Sequence, residues 1–263
     1  MCSQCGILIL SCDNNISVLN IFFRFFKENW CSCEMPIYIG LEKKKMRVEG
    51  CEVLLSDEKH WAKRIKDYLR KIPTPNVLVI LDDFIIEEKV DNNKINEFCQ
   101  IMVDNPDVVN ISLADIYDKK NRKTEFANLM QRKRTGEYLV NMQVGIWNKE
   151  ILISLLRDAE SPWQTELYGS IRARKLKNKR FLCLDDDIHM PIKYNRGWLI
   201  VRGTWNANEI KRLKLENDTE NIFDGKNIMY FNYDHIPISL RDRIIRRAHI
   251  SIRQALSWIG IYL

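Results

Sequence analysis

Apolar positions along this chain fall into two rhythms. Short β-branched runs closed by polar turns read as strands, and longer stretches with apolar residues recurring about every three to four positions read as helices. Gly6 to Leu10 is such a run, and it opens at Ser11-Cys12-Asp13-Asn14-Asn15. Ile16 to Trp30 has helical spacing and length. Pro36 to Gly40 and Val53 to Leu55 read as the next two strands. Ser56 to Lys71 reads as a helix, with Ser56 as its N-cap and Trp61, Ile65 and Leu69 on one face. Pro73 and Pro75 close it before the strand Val77 to Leu81.

The order β-α-β-β-α-β predicts an α/β fold, a mostly parallel sheet flanked by helices. Further on, Lys94 to Val103 predicts a helix and Val108 to Leu113 a strand. Asp115 to Glu137 is dense in Lys and Arg and reads as an exposed loop or irregular helix. Tyr138 to Trp147 reads as a strand, with Asn148 capping a helix through Arg157. Ser161-Pro162-Trp163-Gln164 carries a helix start: an N-cap serine, proline at the first position and glutamine completing a capping box. Phe181 to Leu184 is a strand before Asp185-Asp186-Asp187, and Leu199 to Val201 a last short one before Gly203.

From Leu240 onward Ile244, Ala248, Ile252, Ala255 and Ile259 share one helical face, with Arg243, Arg246, Arg247 and Arg253 opposite. This C-terminal amphipathic extension divides the chain into residues 1–236 and 237–263. It is either a helix docked on the core or one lying on an anionic membrane surface, where Trp258 and Tyr262 suit the interface.

Composition narrows the classes. Ten Phe, nine Tyr and seven Trp in 263 residues exclude an unfolded polymer. A net charge of +6 is too modest to call for nucleic acid, and fits anionic small molecules or an anionic bilayer. Eight cysteines without a second ligand pair for Cys2-x-x-Cys5 read as free thiols in a reducing compartment. Neither a signal peptide nor an apolar run of about 20 residues is visible, so a cytoplasmic protein is expected, peripheral at most to the membrane.

The chemistry concentrates at Asp82 and Asp83, where the apolar strand stops. Open α/β sheets bind ligands at the carboxyl ends of their strands. Two carboxylates there can hold a divalent cation, Mn or Mg, which can hold a diphosphate. An Asp-rich turn is the plainer alternative. Phosphate-binding glycine loops and the G-x-S-x-G elbow are absent, and no histidine pair has H-x-x-x-H spacing.

Several segments together resemble bacterial GT-A-type glycosyltransferases of capsular polysaccharide and O-antigen synthesis. They are Ile7-Leu8-Ile9-Leu10-Ser11-Cys12-Asp13, Trp61-Ala62-Lys63-Arg64-Ile65, Leu81-Asp82-Asp83-Phe84, Asn141 to Trp147, Ser161-Pro162-Trp163-Gln164-Thr165-Glu166 and Gly203-Thr204-Trp205. The resemblance implies a GT-A-like, Rossmann-like fold and transfer of a hexose or N-acetylhexosamine. The donor would be a nucleotide-sugar, of UDP type, and the acceptor a saccharide, for instance a lipid-linked one. It implies donor contacts from Asp13, Arg64, Asp82 and Asp83, metal ligation by Asp83 and Asp82, and an acceptor side of Gln143, Trp147 and Trp163. Glu166 takes the place of the catalytic base. Such enzymes carry a residue between their two aspartates, and here Asp82 and Asp83 are adjacent. The resemblance therefore speaks more for sugar transfer than for metal dependence. A regulatory or phosphoacceptor module with an acidic pocket is the alternative, and an inactive membrane-surface scaffold a third.

Overall fold

The computed structural model describes residues 4–114, 121–136, 138–185, 190–195, 199–215, 223, 225–231 and 252. Among them one large sheet holds β1 (Cys5–Leu10), β2 (Ile37–Leu41), β3 (Cys51–Leu55), β4 (Asn76–Leu81), β5 (Val108–Ser112), β6 (Arg122–Lys123), β7 (Leu129–Gln131), β8 (Gly145–Asn148) and β9 (Arg180–Leu184). The spatial order is β3-β2-β1-β4-β8-β5-β9-β7-β6. β3, β2, β1 and β4 pair in parallel, as do β5 and β9. β8 lies antiparallel between β4 and β5, and β7 lies antiparallel to β9 and β6. All strands but β8 and β7 therefore run the same way, which is the mostly parallel α/β sheet the pattern predicts.

Helices cover both faces. On β1, Ile7 and Ile9 pack into one core with α1 (Ile16–Asn29) and α3 (Asn92–Asp104), while Leu8 and Leu10 pack into another with α2 (Trp61–Lys71) and α4 (Lys149–Leu155). β4 splits likewise, with Leu78 and Ile80 to the first core and Val77 and Val79 to the second. Burial on both sides is why these strands are continuously apolar rather than alternating. Along α1 the rings of Phe22, Phe23, Phe26 and Trp30 pack against one another, with the Phe26 and Trp30 centroids 5.2 Å apart. Each such side chain contributes roughly 1.5–3 kcal/mol by leaving water.

Gly40, near the end of β2, lets the ring of Tyr68 from α2 lie against the strand. A Cβ there would sit 2.5 Å from the ring, whose hydroxyl donates to the Leu41 carbonyl at 2.6 Å. That contact fixes α2 over the β1–β2 edge.

The helix segment Pro162–Ala173 begins as expected. Ser161 Oγ accepts from Gln164 N, and Gln164 Oε1 accepts from Ser161 N. It then runs as α5 (Pro162–Gln164), a π-helical turn at Thr165–Gly169 and α6 (Ser170–Ala173). A small second sheet of β10 (Ile200–Val201), β11 (Thr204–Asn206) and β12 (Ile228–Met229) leads into and follows α7 (Ala207–Arg212).

Three expectations need correction. Ser56 is not an N-cap: α2 starts at Trp61, and the Ser56 hydroxyl instead donates to Asp67 at 2.9 Å. The stretch Tyr138 to Trp147 is strand only from Gly145, because residues 139–142 are a buried loop held by Ser170 and Glu166 side chains. Within the charged stretch 115–137, Arg122–Lys123 and Leu129–Gln131 form a β-hairpin, and residues 115–120 and 137 lie outside the described residues. The C-terminal amphipathic segment and the triplet residues Asp186 and Asp187 also lie outside them, except for Ile252.

Candidate active site

The carboxyl edge of the sheet gathers most of the candidate residues. Asp82 follows β4 directly and its N–H donates to the Leu10 carbonyl of β1 at 3.0 Å. Its side chain is 5% exposed. Ser11 Oγ donates to Asp82 Oδ2 at 2.6 Å. Burial pushes the Asp82 carboxyl up to about 7, against the pull of hydrogen bonds from Ser11 and Asn15. Burial also raises Asp83, and the adjacent Asp82 charge raises it further. Cys12 shares this environment: burial, with Asp82 and Glu42 nearby, lifts its thiol to about 11.

A carboxylate pair that prefers to keep a proton is a pair short of positive charge. A hard divalent cation fits that donor set. Of the two carboxylates Asp83 is the more accessible, half-buried beside the locked Asp82. Among the described residues no group of three or more His, Cys, Asp or Glu could hold a metal unaided. A cation held here would need oxygens from its ligand.

Asp13 and Arg64 stand at the same edge but are engaged. Asp13 Oδ1 accepts from Glu42 N at 3.1 Å, and Oδ2 from Lys43 N and Lys44 N at 3.0 Å each. The carboxylate clamps the loop after β2, and a direct ligand contact would have to give up some of these bonds. Arg64 Nη2 pairs with Glu42 at 3.3 Å while Nη1 donates to the Glu58 and Lys59 carbonyls. Reaching a diphosphate would mean leaving Glu42.

The start of β8 pairs with the end of β4, Gly145 opposite Val79, so the loop before β8 also lies at the carboxyl edge. Within it Gln143 Oε1 accepts from the Tyr194 hydroxyl at 3.0 Å. Tyr194 stacks on Phe84, centroids 4.9 Å apart, and Phe84 is the residue after Asp83. Two contacts thus join Gln143 to the acidic pair. Met142 N donates to Glu166 Oε1 at 2.8 Å, which ties the π-helical turn to the same loop. π-turns inside helices often mark functional positions. Trp163, one turn before, is 71% exposed.

Trp147 does not belong to this group. It is 1% exposed and packs edge-on against Phe181, 6.3 Å between centroids, in the core beneath α2 and α4. It offers no surface to an acceptor, and its expected place on the acceptor side is corrected to a core role.

Sequence reasoning passed over Ser11, Asn15, Glu42 and Tyr194. Ser11 and Asn15 carry a local signal only in their place in the polar turn after the first strand. Tyr194 had no local signal.

No family model matches the chain, and no curated protein sequence matches it. Among solved structures, residues 1–349 of TarS from S. aureus, in complex with UDP-GlcNAc, superpose with a TM-score of 0.47 at 9% identity over 70% of this chain. The chain spans 56% of that structure's length. A CMP:2-keto-3-deoxy-manno-octonic acid synthetase complexed with CTP gives 0.42 at 12% identity, over 69% of this chain and 88% of that one. A UDP-glucose pyrophosphorylase complexed with UDP-glucose gives 0.43 at 11% identity, over 73% and 91%.

Proposed function

We propose that the chain is a glycosyltransferase that moves a sugar from a nucleotide-sugar donor, of UDP type, to a saccharide acceptor. The observation that carries the reading is the acidic pair at the carboxyl edge of β4. One carboxylate is buried and locked by Ser11, the other is half-buried, and both have raised proton affinity. The ordered sequence segments support it from the other side.

Asp83, steadied by Asp82, would hold a divalent cation, Mn or Mg, that neutralises the departing diphosphate. Glu166 would take the proton from the acceptor hydroxyl, its carboxylate aimed by the Met142 N–H. Trp163 is the exposed apolar ring available to an acceptor sugar. Gln143, linked through Tyr194 and Phe84 to the acidic pair, would orient the acceptor. A lipid-linked saccharide at the inner membrane face, in surface polysaccharide synthesis, is the acceptor class that suits the basic C-terminal segment. No helix among the described residues is long and apolar enough to cross a membrane.

The test is a thermal-shift and hydrolysis screen with UDP-, GDP-, CDP- and dTDP-sugars, each with and without manganese. Stabilisation by one nucleotide class, lost in Asp83→Asn, supports the reading. Indifference to every donor, with phosphorylation by acetyl phosphate, overturns it in favour of a phosphoacceptor module.

A further inference from the structure

At the opposite end of the sheet lies a second feature that the proposed transfer does not use. β4, β5 and β9 run in one direction, so Asp82 and Asp83 stand at the carboxyl edge while the residues before β9 stand at the amino edge. There a cleft of about 420 Å³ opens between the β6–β7 hairpin, the loop after it and the turn leading into β9. Six of its lining residues are cationic: Arg122, Arg132, Lys133, Arg134, Lys177 and Lys179. None of the described lining residues is acidic.

Arg132 belongs to the frame of the cleft, whereas the hydrogen bonds of Arg134 and Lys179 go to carbonyls and leave their charge unneutralised. Arg132 is buried and donates to the Leu139 and Tyr138 carbonyls at 3.0 and 2.6 Å. Arg134 donates to the Lys177 carbonyl at 3.3 Å, and Lys179 to the Pro106 carbonyl at 2.9 Å. Carbonyl oxygens position a cation without supplying the opposite charge. Arg134 thereby ties the post-hairpin loop to the turn before β9, which gives the cleft a built frame. The side chains of Arg122, Lys133 and Lys177 make no ion pair among the described residues, although Arg180 next door is paired with Asp107 and Glu125. Carboxylates are therefore within reach of this edge, yet they serve Arg180 rather than the cleft.

Like charges gathered in a concave, partly enclosed site repel one another and focus a positive potential, and an anion relieves both. Guanidinium and ammonium groups in such number match phosphate oxygens, the Arg by paired donors and the Lys as point charges. The volume is that of a small-molecule site rather than a polymer groove.

We propose that this cleft binds a polyphosphate group, two or more linked phosphates carried by a small molecule, at a site separate from the acidic pair. The inference stands independently of the sugar-transfer reading. Bound there, the ligand bridges the β6–β7 hairpin and the turn before β9.

The experiment is calorimetric titration of the full chain with inorganic tripolyphosphate in a metal-free, chelator-containing buffer, at low and at physiological salt. One site is expected, weakening as salt rises. Lys133→Glu combined with Lys177→Glu should weaken binding at least tenfold with the melting temperature unchanged, and Asp83→Asn should leave it intact. Parallel titrations with a nucleoside triphosphate distinguish the sources. Equal affinity assigns a free polyphosphate and tighter binding assigns a nucleotide, and either result supports the site. Three results overturn the proposal: no binding at low salt, binding untouched by the double substitution, or equal displacement by sulfate at matched ionic strength.

Discussion

Replacing Asp82 by asparagine should make the protein more stable at pH 8 while removing the Asp82 share of a pH dependence the native chain carries. An ordinary aspartate releases its proton near 3.8, whereas burial raises Asp82 to about 7. That gap of about three pH units, at 1.36 kcal/mol per unit, is a penalty of about 4 kcal/mol on the ionised folded protein. The sign follows from proton counts. Between pH of about 4 and about 7 the folded protein keeps a proton that the unfolded chain has lost, so stability falls as pH rises and levels off above 7. Asp83 is raised in the same direction, and the two side chains titrate as a pair. In Asp82→Asn the new amide carries no charge, keeps a partner for the Ser11 hydroxyl, and leaves burial alone to raise Asp83. Urea unfolding from pH 4 to 8 in chelator measures both proteins. The Asp82 share should lower the native curve by about 4 kcal/mol, while the variant keeps only the fall that burial of Asp83 imposes and crosses above the native curve near neutrality. Manganese added at pH 8 should recover part of the native loss, about 2.7 kcal/mol at a hundredfold excess over its dissociation constant, and little in the variant. Parallel curves for the two proteins would refute the claim that Asp82 is buried with its charge uncompensated.

Four further outcomes follow from the surroundings of particular side chains. Glu166→Gln keeps an oxygen for the Met142 N–H but cannot accept a proton, so turnover should fall about 10²–10⁴-fold while donor binding, measured by thermal shift, survives. Glu160→Gln leaves Arg172 buried without its charge partner, since its two terminal guanidinium nitrogens reach Glu160 at 2.8 and 2.6 Å, and denaturant unfolding should show a loss of about 3–5 kcal/mol. Trp147→Ala should cost about 3–5 kcal/mol in the same assay. Trp163→Ala, at an exposed ring, should stay within about 0.5 kcal/mol and act only on acceptor kinetics.

What the sequence made legible follows from where burial is two-sided or local. β1 and β4 read as strands because helices press on both faces and leave no polar alternation to confuse the period. The capping box at Ser161 read correctly because both of its hydrogen bonds span three residues. The misread positions are those whose role is set at long range. Residues 139–142 are as apolar as a strand, but a serine 30 residues on and a glutamate 24 residues on hold them as a loop. Trp147 ends the apolar run of β8 and packs beneath α2, whereas Trp163 sits in a polar helix start and faces solvent, so the acceptor-side reading of Trp147 overlooked that run. Arg132 looked like one more surface cation until Leu139 and Tyr138 supplied buried carbonyls for it. The acidic pair shows both cases at once. Its place at the end of an apolar run is a local fact that one segment reveals. Its altered proton affinity comes from burial, with Ser11, 71 residues away, and Asn15 at the α1 entry pulling against it, so the chemistry of the pair, unlike its position, emerges only in the fold.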